Sequence, residues 1–413
     1  METGVALVIL GLSIAVVYWA PLRRLKSALG VAHLVATGHA FLVLGVVAGL
    51  ALANAHQRLT VELTPIVGFV AGWIGFAAGM RFNRRVLGRL PRRAWLVALL
   101  PAISAAVVVS GAGVGILMAA GVPAVKAIAG ALVLGGAAAS SGPTLIGALR
   151  NRRAGRDPRV RSRLAAMELS AGLDDLVTVI FAVVAFSLLR PETTGFSHVV
   201  FALVSVGGGL FLGFVTWLFL GGRASSEERL LLGLGMLMFI AGSAGWLHLS
   251  PASVAAIAAM TLVNLPGDRG RQLFDTVRRV ERPAAVILMV VIGFDVVGPL
   301  SWVTPLLLAL MTIVRLLAKH GAGQAVATST PLTRGVTADH GWALGLAPQG
   351  ALGLMVALSF FGVWHDDVAR NVLAAIAGAA LLNELAGPWL LSRAVRPGGD
   401  RPKRASAADG GAA

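Results

Sequence analysis

The sequence predicts an all-α polytopic membrane protein with about thirteen transmembrane helices. Hydrophobic residues make up 57% of the 413-residue chain and charged residues only 13%, which is about half the charged share of an ordinary soluble protein. Apolar runs of about twenty residues, long enough to cross a bilayer as helices, recur along the whole chain. The short alternating segments typical of a membrane β-barrel do not occur.

The hydropathy pattern divides the chain into thirteen apolar segments, of which the ninth and tenth are short for a full span. They are residues 3–20, 38–54, 64–80, 94–119, 124–149, 164–188, 196–220, 230–248, 251–264, 284–298, 304–327, 341–362 and 368–392. We expect one transmembrane domain over residues 1–392 and a short disordered cytoplasmic tail over residues 393–413. The amphipathic segment 265–282 is predicted to form a cytoplasmic helix between two halves of the bundle.

The distribution of Lys and Arg residues orients the predicted bundle. With an external N-terminus, 29 of the 35 Lys and Arg residues fall in cytoplasmic segments, four fall outside and two lie within a span. This positive-inside bias predicts a cytoplasmic C-terminus and a multi-pass protein of the cell (inner or plasma) membrane. It also accounts for the net charge of +16 without a nucleic-acid partner.

Apart from Glu168 near a cytoplasmic end and basic residues at the span boundaries, six ionisable residues fall inside predicted spans, where each is costly and needs an explanation. They are Asp174, Asp175, Asp295, Arg315, Lys319 and Glu384. Asp175 and Arg315 each lie eleven residues from the start of their own span, which is about 16 Å along a helix and close to the bilayer midplane. Lys319 shares the helix face of Arg315, one turn nearer the cytoplasm.

Buried acids beside buried cations can couple two ion fluxes. A carboxylate in a low-dielectric site holds a proton more readily than in water, and it binds either that proton or a dehydrated cation. Because neighbouring helical residues point about 100° apart, Asp174 and Asp175 are not expected to face one site equally. Arg315 and Lys319 are core-base candidates: each can supply counter-charge, and one of them can instead bond exposed carbonyls.

Asp295 and Glu384 are secondary candidates for this site. Asp295 lies three residues before Gly298, near the outer end of a short span, where it is either solvated or part of a buried site. Glu384 lies nearer the cytoplasm, and its position favours a structural role.

Two spans are predicted to be interrupted at membrane depth, the fifth at residues 140–144 (SSGPT) and the twelfth at residues 346–350 (LAPQG). Irregular backbone survives in a membrane only when it is buried in protein or lines a cavity, although a packed proline kink is the alternative for either span alone. Spans four to six and eleven to thirteen run in opposite directions, which predicts an inverted repeat around a central site. Neutral oxygens there suit a hard monovalent cation, and no cofactor or transition metal is expected. These candidate ligands are Ser140, Ser141, Thr144 and Gln349.

Together these motifs resemble the monovalent cation:proton antiporter family over most of the chain. The paired acids in residues 173–176 (LDDL) are the most specific feature. The other similar stretches are residues 75–83 (GFAAGMRFN), 140–150 (SSGPTLIGALR), 315–321 (RLLAKHG), 345–353 (GLAPQGALG) and 383–388 (NELAGP).

The resemblance implies a core domain that moves against dimerisation or panel helices in an elevator-like cycle. It maps the core to about residues 94–188 and 304–392, and the panel to about residues 3–80 and 196–264. It also implies that Asp175 binds the cation and carries the proton, that Asp174 assists, and that the protein is a homodimer in the lipid bilayer.

The hypothesis is therefore a secondary transporter, not an enzyme, that exchanges Na⁺, or else K⁺ or Li⁺, for protons. The alternatives are an ion-coupled carrier of organic anions on a related inverted-repeat scaffold and a gated cation channel. An intramembrane enzyme would need a nucleophile with its base or a set of metal ligands, and the eight histidines form no HExxH motif,. Thiol chemistry and disulfides are excluded because the chain has no cysteine,.

Overall fold

A computed structural model describes residues 34–35, 37–52, 56–153, 158–188, 197–221, 225–267, 271–329 and 341–395, and this part of the chain is almost entirely helical. Its α-helices, numbered in chain order, are α1 (Ala40–Ala51), α2 (His56–Gly79), α3 (Arg84–Leu87), α4 (Arg92–Ala119), α5 (Ala124–Ala139), α6 (Thr144–Arg153), α7 (Pro158–Leu173), α8 (Asp175–Leu188), α9 (His198–Phe219), α10 (Ser226–Trp246), α11 (Pro251–Asn264), α12 (Arg271–Asp295), α13 (Val303–Ala309), α14 (Arg315–Ser329), α15 (Ala351–Trp364) and α16 (Asp367–Val395). A π-helical segment, Leu310–Val314, joins α13 to α14, and a 3₁₀ helix, Trp342–Leu346, precedes α15.

These helices confirm the predicted all-α membrane architecture. Within the described residues, seven helices or continuous helix pairs are long and apolar enough to cross a membrane by length and composition. Five shorter apolar helices accompany them, namely α1, α5, α11, α15 and the part of α12 that begins at Pro283. Together they match the predicted spans from the second to the thirteenth. The predicted first span, 3–20, and the predicted tail beyond Val395 lie outside the described residues.

The two interrupted spans cross each other as short extended segments. Helix α5 ends at Ala139 and α6 begins at Thr144, while the 3₁₀ helix ends at Leu346 and α15 begins at Ala351. Between these ends, an isolated antiparallel β-bridge pairs Ser141 with Gln349. We call the two segments, residues 140–143 and 347–350, the crossing.

Backbone pairing and glycine make this close approach possible. The amide of Gly142 donates to the carbonyl of Pro348 at 2.9 Å, so one segment satisfies backbone groups that the other leaves open. A Cβ atom on Gly350 would lie 2.0 Å from Ser140 Oγ, and any larger residue would therefore displace this hydroxyl group.

Two other spans have local irregularities at their charged residues. Asp174 is a non-helical turn between α7 and α8, within an otherwise continuous helical stretch, Val160–Leu188. The π-helical segment Leu310–Val314 ends directly before Arg315. Single π-helical turns often mark functional sites in helices, and here both irregularities lie beside intramembrane charges.

Helix α12 differs from its prediction. The sequence predicted a separate amphipathic helix over residues 265–282, but α12 runs without interruption from Arg271 to Asp295 and includes Pro283. Proline removes one helical hydrogen bond and disfavours the helix at the preceding residue. Packing offsets this cost, because Val277 and Ala284 on either side of the proline are buried and Trp73 Nε1 donates to the Val277 carbonyl at 3.0 Å.

Helix α2 packs against α11 through glycine. A Cβ atom on Gly75 would lie 1.9 Å from the carbonyl oxygen of Ala252, and one on Gly79 would lie 2.1 Å from that of Ala256. Small residues four positions apart are typical of closely packed membrane helices. This contact fixes the end of α2, two residues before Arg81.

Gly75→Ala is expected to destabilise the folded protein, because the added methyl group would overlap the α11 backbone. Overpacking of this kind costs about 1–3 kcal/mol, which should appear as a lower melting temperature in detergent. Gly68→Ala is the matched control on the same helix, since a Cβ atom there would meet no other atom within 4 Å. Equal melting temperatures for the two variants would contradict the packing described.

Candidate functional site

Asp175 is the first residue of α8 and lies beside the crossing. Its carboxylate is buried, and its Oδ1 accepts a hydrogen bond of 2.9 Å from Ser140 Oγ. Its Oδ2 lies 3.5 Å from a guanidinium nitrogen of Arg81. One crossing segment and the Arg81 guanidinium thus each contact one oxygen of this carboxylate.

Asp174 faces a different partner from its neighbour. Its Oδ2 lies 3.6 Å from Lys319 Nζ, and both side chains are almost fully buried. Within the described part of the chain, neither carboxylate oxygen of Asp174 accepts a hydrogen bond. Lys319 Nζ also donates to the Ala139 carbonyl and to Ser141 Oγ, each at 2.5 Å. Lys319 thus links Asp174, at the turn between α7 and α8, to the crossing segment of residues 140–143.

Arg315 binds backbone carbonyls at the end of α5 and around the end of the 3₁₀ helix. Its side chain is completely buried. Its guanidinium donates to the carbonyl oxygens of Ala138 (2.9 Å), Ser140 (3.0 Å), Leu346 (3.3 Å), Ala347 (2.7 Å) and Pro348 (3.5 Å). The C-terminal end of a helix carries partial negative charge and unsatisfied carbonyls. Here one guanidinium binds such carbonyls at the ends of both interrupted helices.

The structure therefore separates two basic residues that the sequence left equivalent. Lys319 pairs with an acid, whereas the hydrogen bonds of Arg315 go to carbonyls. The reason is the fixed fork of guanidinium donors, which reaches several acceptors at once, while an ammonium acts as a compact point charge.

The predicted oxygen ligands lie at the crossing or next to it. Ser140, Ser141 and Gln349 are buried there, and Thr144 is exposed at the start of α6. Gln349 Nε2 donates to the Ala137 carbonyl at 3.2 Å. Its Oε1 has no hydrogen-bond donor among the described residues, which leaves that oxygen available to a cation.

A cavity of about 640 Å³ reaches the crossing. It lies between α2 and α12 on one side and α6, α7, α8, α15 and α16 on the other. Asp175, Ser141, Thr144 and Gln349 are among the residues of its wall. Its acidic wall residues also include Glu168, Glu281 and Glu384. The cavity therefore connects the predicted cation-binding acid and most of the predicted oxygen ligands to a polar space.

The two secondary candidates lie in different places. Asp295, the last residue of α12, is buried and accepts a hydrogen bond of 2.8 Å from Thr60 Oγ1. It does not belong to the described cavity wall, so the structure does not bring it to the crossing, and it is not solvated. Glu384 of α16 is buried and lies in the cavity wall.

Sequence reasoning missed Arg81 and Glu281. The other terminal guanidinium nitrogen of Arg81 lies 2.6 Å from Glu281 Oε1, so Arg81 links α12 to Asp175. The sequence placed Arg81 among the cytoplasmic basic residues and Glu281 in the separate cytoplasmic helix predicted between two halves of the bundle. One sequence signal could have indicated that Arg81 is held near the core. Arg81 follows Gly79 by two residues, directly after a helix whose glycines, Gly75 and Gly79, are spaced for close packing.

Arg315→Lys is expected to lower stability markedly, because an ammonium cannot reach both crossing segments. Each buried carbonyl left without a donor costs about 1–3 kcal/mol, so the melting temperature in detergent should fall by many degrees. Arg85→Lys is the control, since Arg85 is exposed. A melting temperature unchanged by Arg315→Lys would refute the structural role of the guanidinium.

The Asp174–Lys319 pair is expected to be energetically coupled. Asp174→Asn or Lys319→Gln alone leaves one buried charge without its partner, a loss of about 3–5 kcal/mol. The double variant leaves neither charge, so it should be more stable than the sum of the single effects predicts. Thermal unfolding of the four proteins measures this coupling, and strictly additive effects would argue against the pair.

Comparisons with known proteins agree with this architecture. The family model described as "Sodium/hydrogen exchanger, transmembrane" matches residues 11–393. No curated protein matches the sequence. Among solved structures, the fold is similar to that of the sodium proton antiporter MjNhaP1 from Methanocaldococcus jannaschii, with a TM-score of 0.65 and 13% identity over 96% of this chain and 99% of that one. Because the family model covers nearly the whole chain, the protein belongs to the sodium/hydrogen exchanger family and is a cation:proton antiporter, not an enzyme.

Proposed function

We propose that the protein exchanges a monovalent cation, Na⁺ or else K⁺ or Li⁺, for protons by alternating access, with Asp175 as the exchange site. The observation that carries the proposal is the position of Asp175, which is buried beside the crossing and yet lines a polar cavity. A carboxylate in such a place can lose its proton to the cavity and accept a cation from it.

The charges around the cavity favour a cation over an organic anion. Among the described wall residues, the acids Glu168, Asp175, Glu281 and Glu384 outnumber the basic residues Arg81 and His39. Walls of one predominant charge concentrate ions of the opposite charge. This balance supports cation transport over the alternative of an organic-anion carrier.

The ligands proposed for the cation are the Asp175 carboxylate with neutral oxygens of the crossing. Ser140 Oγ already contacts Asp175, Ser141 and Gln349 line the same cavity, and Thr144 follows the first segment. Oxygen ligands of low total charge suit a hard monovalent cation. In this scheme Lys319 is the counter-charge of Asp174 when no cation is bound, and Arg315 holds the crossing together.

Alternating access is supported by the location of the cavity between two groups of helices. We propose that a core of residues about 94–188 and 304–392 moves, elevator-like, against panel helices of residues about 3–80 and 196–264, within a homodimer. The cavity wall includes α2 from the panel and α6, α7, α8, α15 and α16 from the core. Motion of one group against the other would move Asp175 from this cavity to the opposite side.

The sidedness follows from the positive-inside bias of the loops. We propose an external N-terminus and a cytoplasmic C-terminus in the cell (inner or plasma) membrane. The cavity wall includes Arg81, which follows α2 at the start of the basic segment 81–93, and Glu168, which pairs with Arg150 of the basic segment 150–163. In this orientation, the cavity opens toward the cytoplasm.

Asp175→Asn is expected to abolish exchange while the protein stays folded. The amide keeps the shape and can still accept from Ser140, but it can neither release a proton nor carry the charge that binds a cation. The measurement is proton movement in energised inverted membrane vesicles, reported by a pH-sensitive dye after addition of Na⁺, Li⁺ or K⁺. Dye recovery with one of these ions, absent from the variant, identifies the transported cation.

Asp295→Asn provides the matched comparison, because it makes the same change in a buried acid that lies away from the cavity. We expect it to retain cation-dependent dye recovery, since its amide oxygen can still accept from Thr60. Full activity in Asp175→Asn would refute the assigned site. No recovery with any cation in the unaltered protein, although present in the membrane, would refute the proposed exchange itself.

A further inference from the structure

Arg81 occupies a position that a transported cation would need. One of its terminal guanidinium nitrogens lies 3.5 Å from Asp175 Oδ2, the oxygen that Ser140 does not bind. The other lies 2.6 Å from Glu281 Oε1. Arg81, Asp175 and Glu281 all belong to the cavity wall, so an ion in the cavity can reach the guanidinium and both acids.

We propose that Arg81 is a built-in competitor of the transported cation, held at Asp175 when the site has neither cation nor proton and displaced when a cation binds. The proposal rests on the proposed function, because it assigns a role to Arg81 at that same acid. It makes Arg81 a determinant of cation affinity on the cavity side.

The chemistry of arginine suits this role. A guanidinium remains charged at every physiological pH, so it neutralises Asp175 whenever no other cation is present. Both charges are partly shielded from solvent, with the Arg81 side chain 29% and the Asp175 side chain 6% exposed. Across 3.5 Å in such a shielded place, the attraction between the two charges is much stronger than in bulk water. An entering cation must overcome this attraction.

Glu281 gives the displaced guanidinium a place to remain. Glu281 is part of α12, and its carboxylate binds Arg81. The Glu281 side chain lines the cavity and is 33% exposed. When a cation takes Asp175, Arg81 keeps one carboxylate partner and does not become an isolated buried charge. The two acids thus hold one arginine in a position from which a small cation can displace it.

The chain offers a sharp test because it contains no cysteine. Arg81→Cys removes the charge and introduces a single thiol that faces the cavity. A methanethiosulfonate reagent carrying an ethylammonium group then restores a positive charge on the same folded protein, and a methyl reagent adds a neutral group of similar chemistry. Mass spectrometry verifies that each reaction is complete.

The assay is the sodium dependence of exchange in inverted vesicles at alkaline pH, where protons compete least for the acid. We expect the KM for sodium to fall about fivefold in Arg81→Cys, the lower end of the range in which coupled groups usually change each other's affinity. The ethylammonium reagent should raise the KM toward that of the unaltered protein, whereas the methyl reagent should not. Arg81→Lys, which keeps the charge, should stay near the original KM.

Arg85→Cys with the same reagents is the control for general surface charge, because Arg85 is exposed and lies four residues farther on, in α3. Its KM should change little before and after labelling. An unchanged or higher KM in Arg81→Cys, a change confined to the maximal rate, or equal effects of the charged and neutral reagents would each overturn the proposal. These outcomes differ from failure of the proposed function, in which the unaltered protein itself would show no sodium-dependent proton movement.

Discussion

The architecture depends on how backbone groups are satisfied where two helices are broken inside the membrane. Lipid offers no hydrogen-bond partners, so an interrupted helix survives there only if protein groups replace the missing bonds. The amide of Gly142 pairs with the Pro348 carbonyl, and the guanidinium of Arg315 takes carbonyls of both segments. The broken helices therefore stabilise each other through one arginine, and the polar crossing becomes available for ion chemistry.

The same arrangement assigns each neighbouring charge a separate task. Asp174 lies in the turn between α7 and α8 and Asp175 is the first residue of α8. Asp174 reaches Lys319, while Asp175 reaches Ser140 and Arg81. Arg315 needs no acid in hydrogen-bonding contact, since the carbonyl ends of two helical segments supply its negative partner. A site with two acids therefore has Lys319 and Arg81 as their counter-charges, and Arg315 stabilises the scaffold that holds them.

The sequence is most informative where physical constraints are local and strong. Apolar length and the Gly-Pro motif of residues 140–144 predicted the spans and the break, because both depend on neighbouring residues alone. The continuity of α12 through Pro283 was not predictable from the pattern, since it depends on contacts such as Trp73 with the Val277 carbonyl. The contact of Arg81 with Asp175 joins residues 94 positions apart, and only the tertiary fold distinguishes this arginine from the loop arginines that follow it.

Charge balance connects the crossing to the movement that exchange requires. A buried ionised acid without a partner is costly in a membrane, so Asp175 should move through the bilayer only when something neutralises it. In the described conformation Arg81 supplies that charge from the turn directly after α2, a helix that belongs to the panel in the proposed cycle. An acid paired with the panel cannot leave with the core until the pair is broken, whereas a bound proton or cation would travel with the core. Pairing across the two groups of helices would therefore disfavour movement of an empty site, which is the condition that obligatory exchange needs.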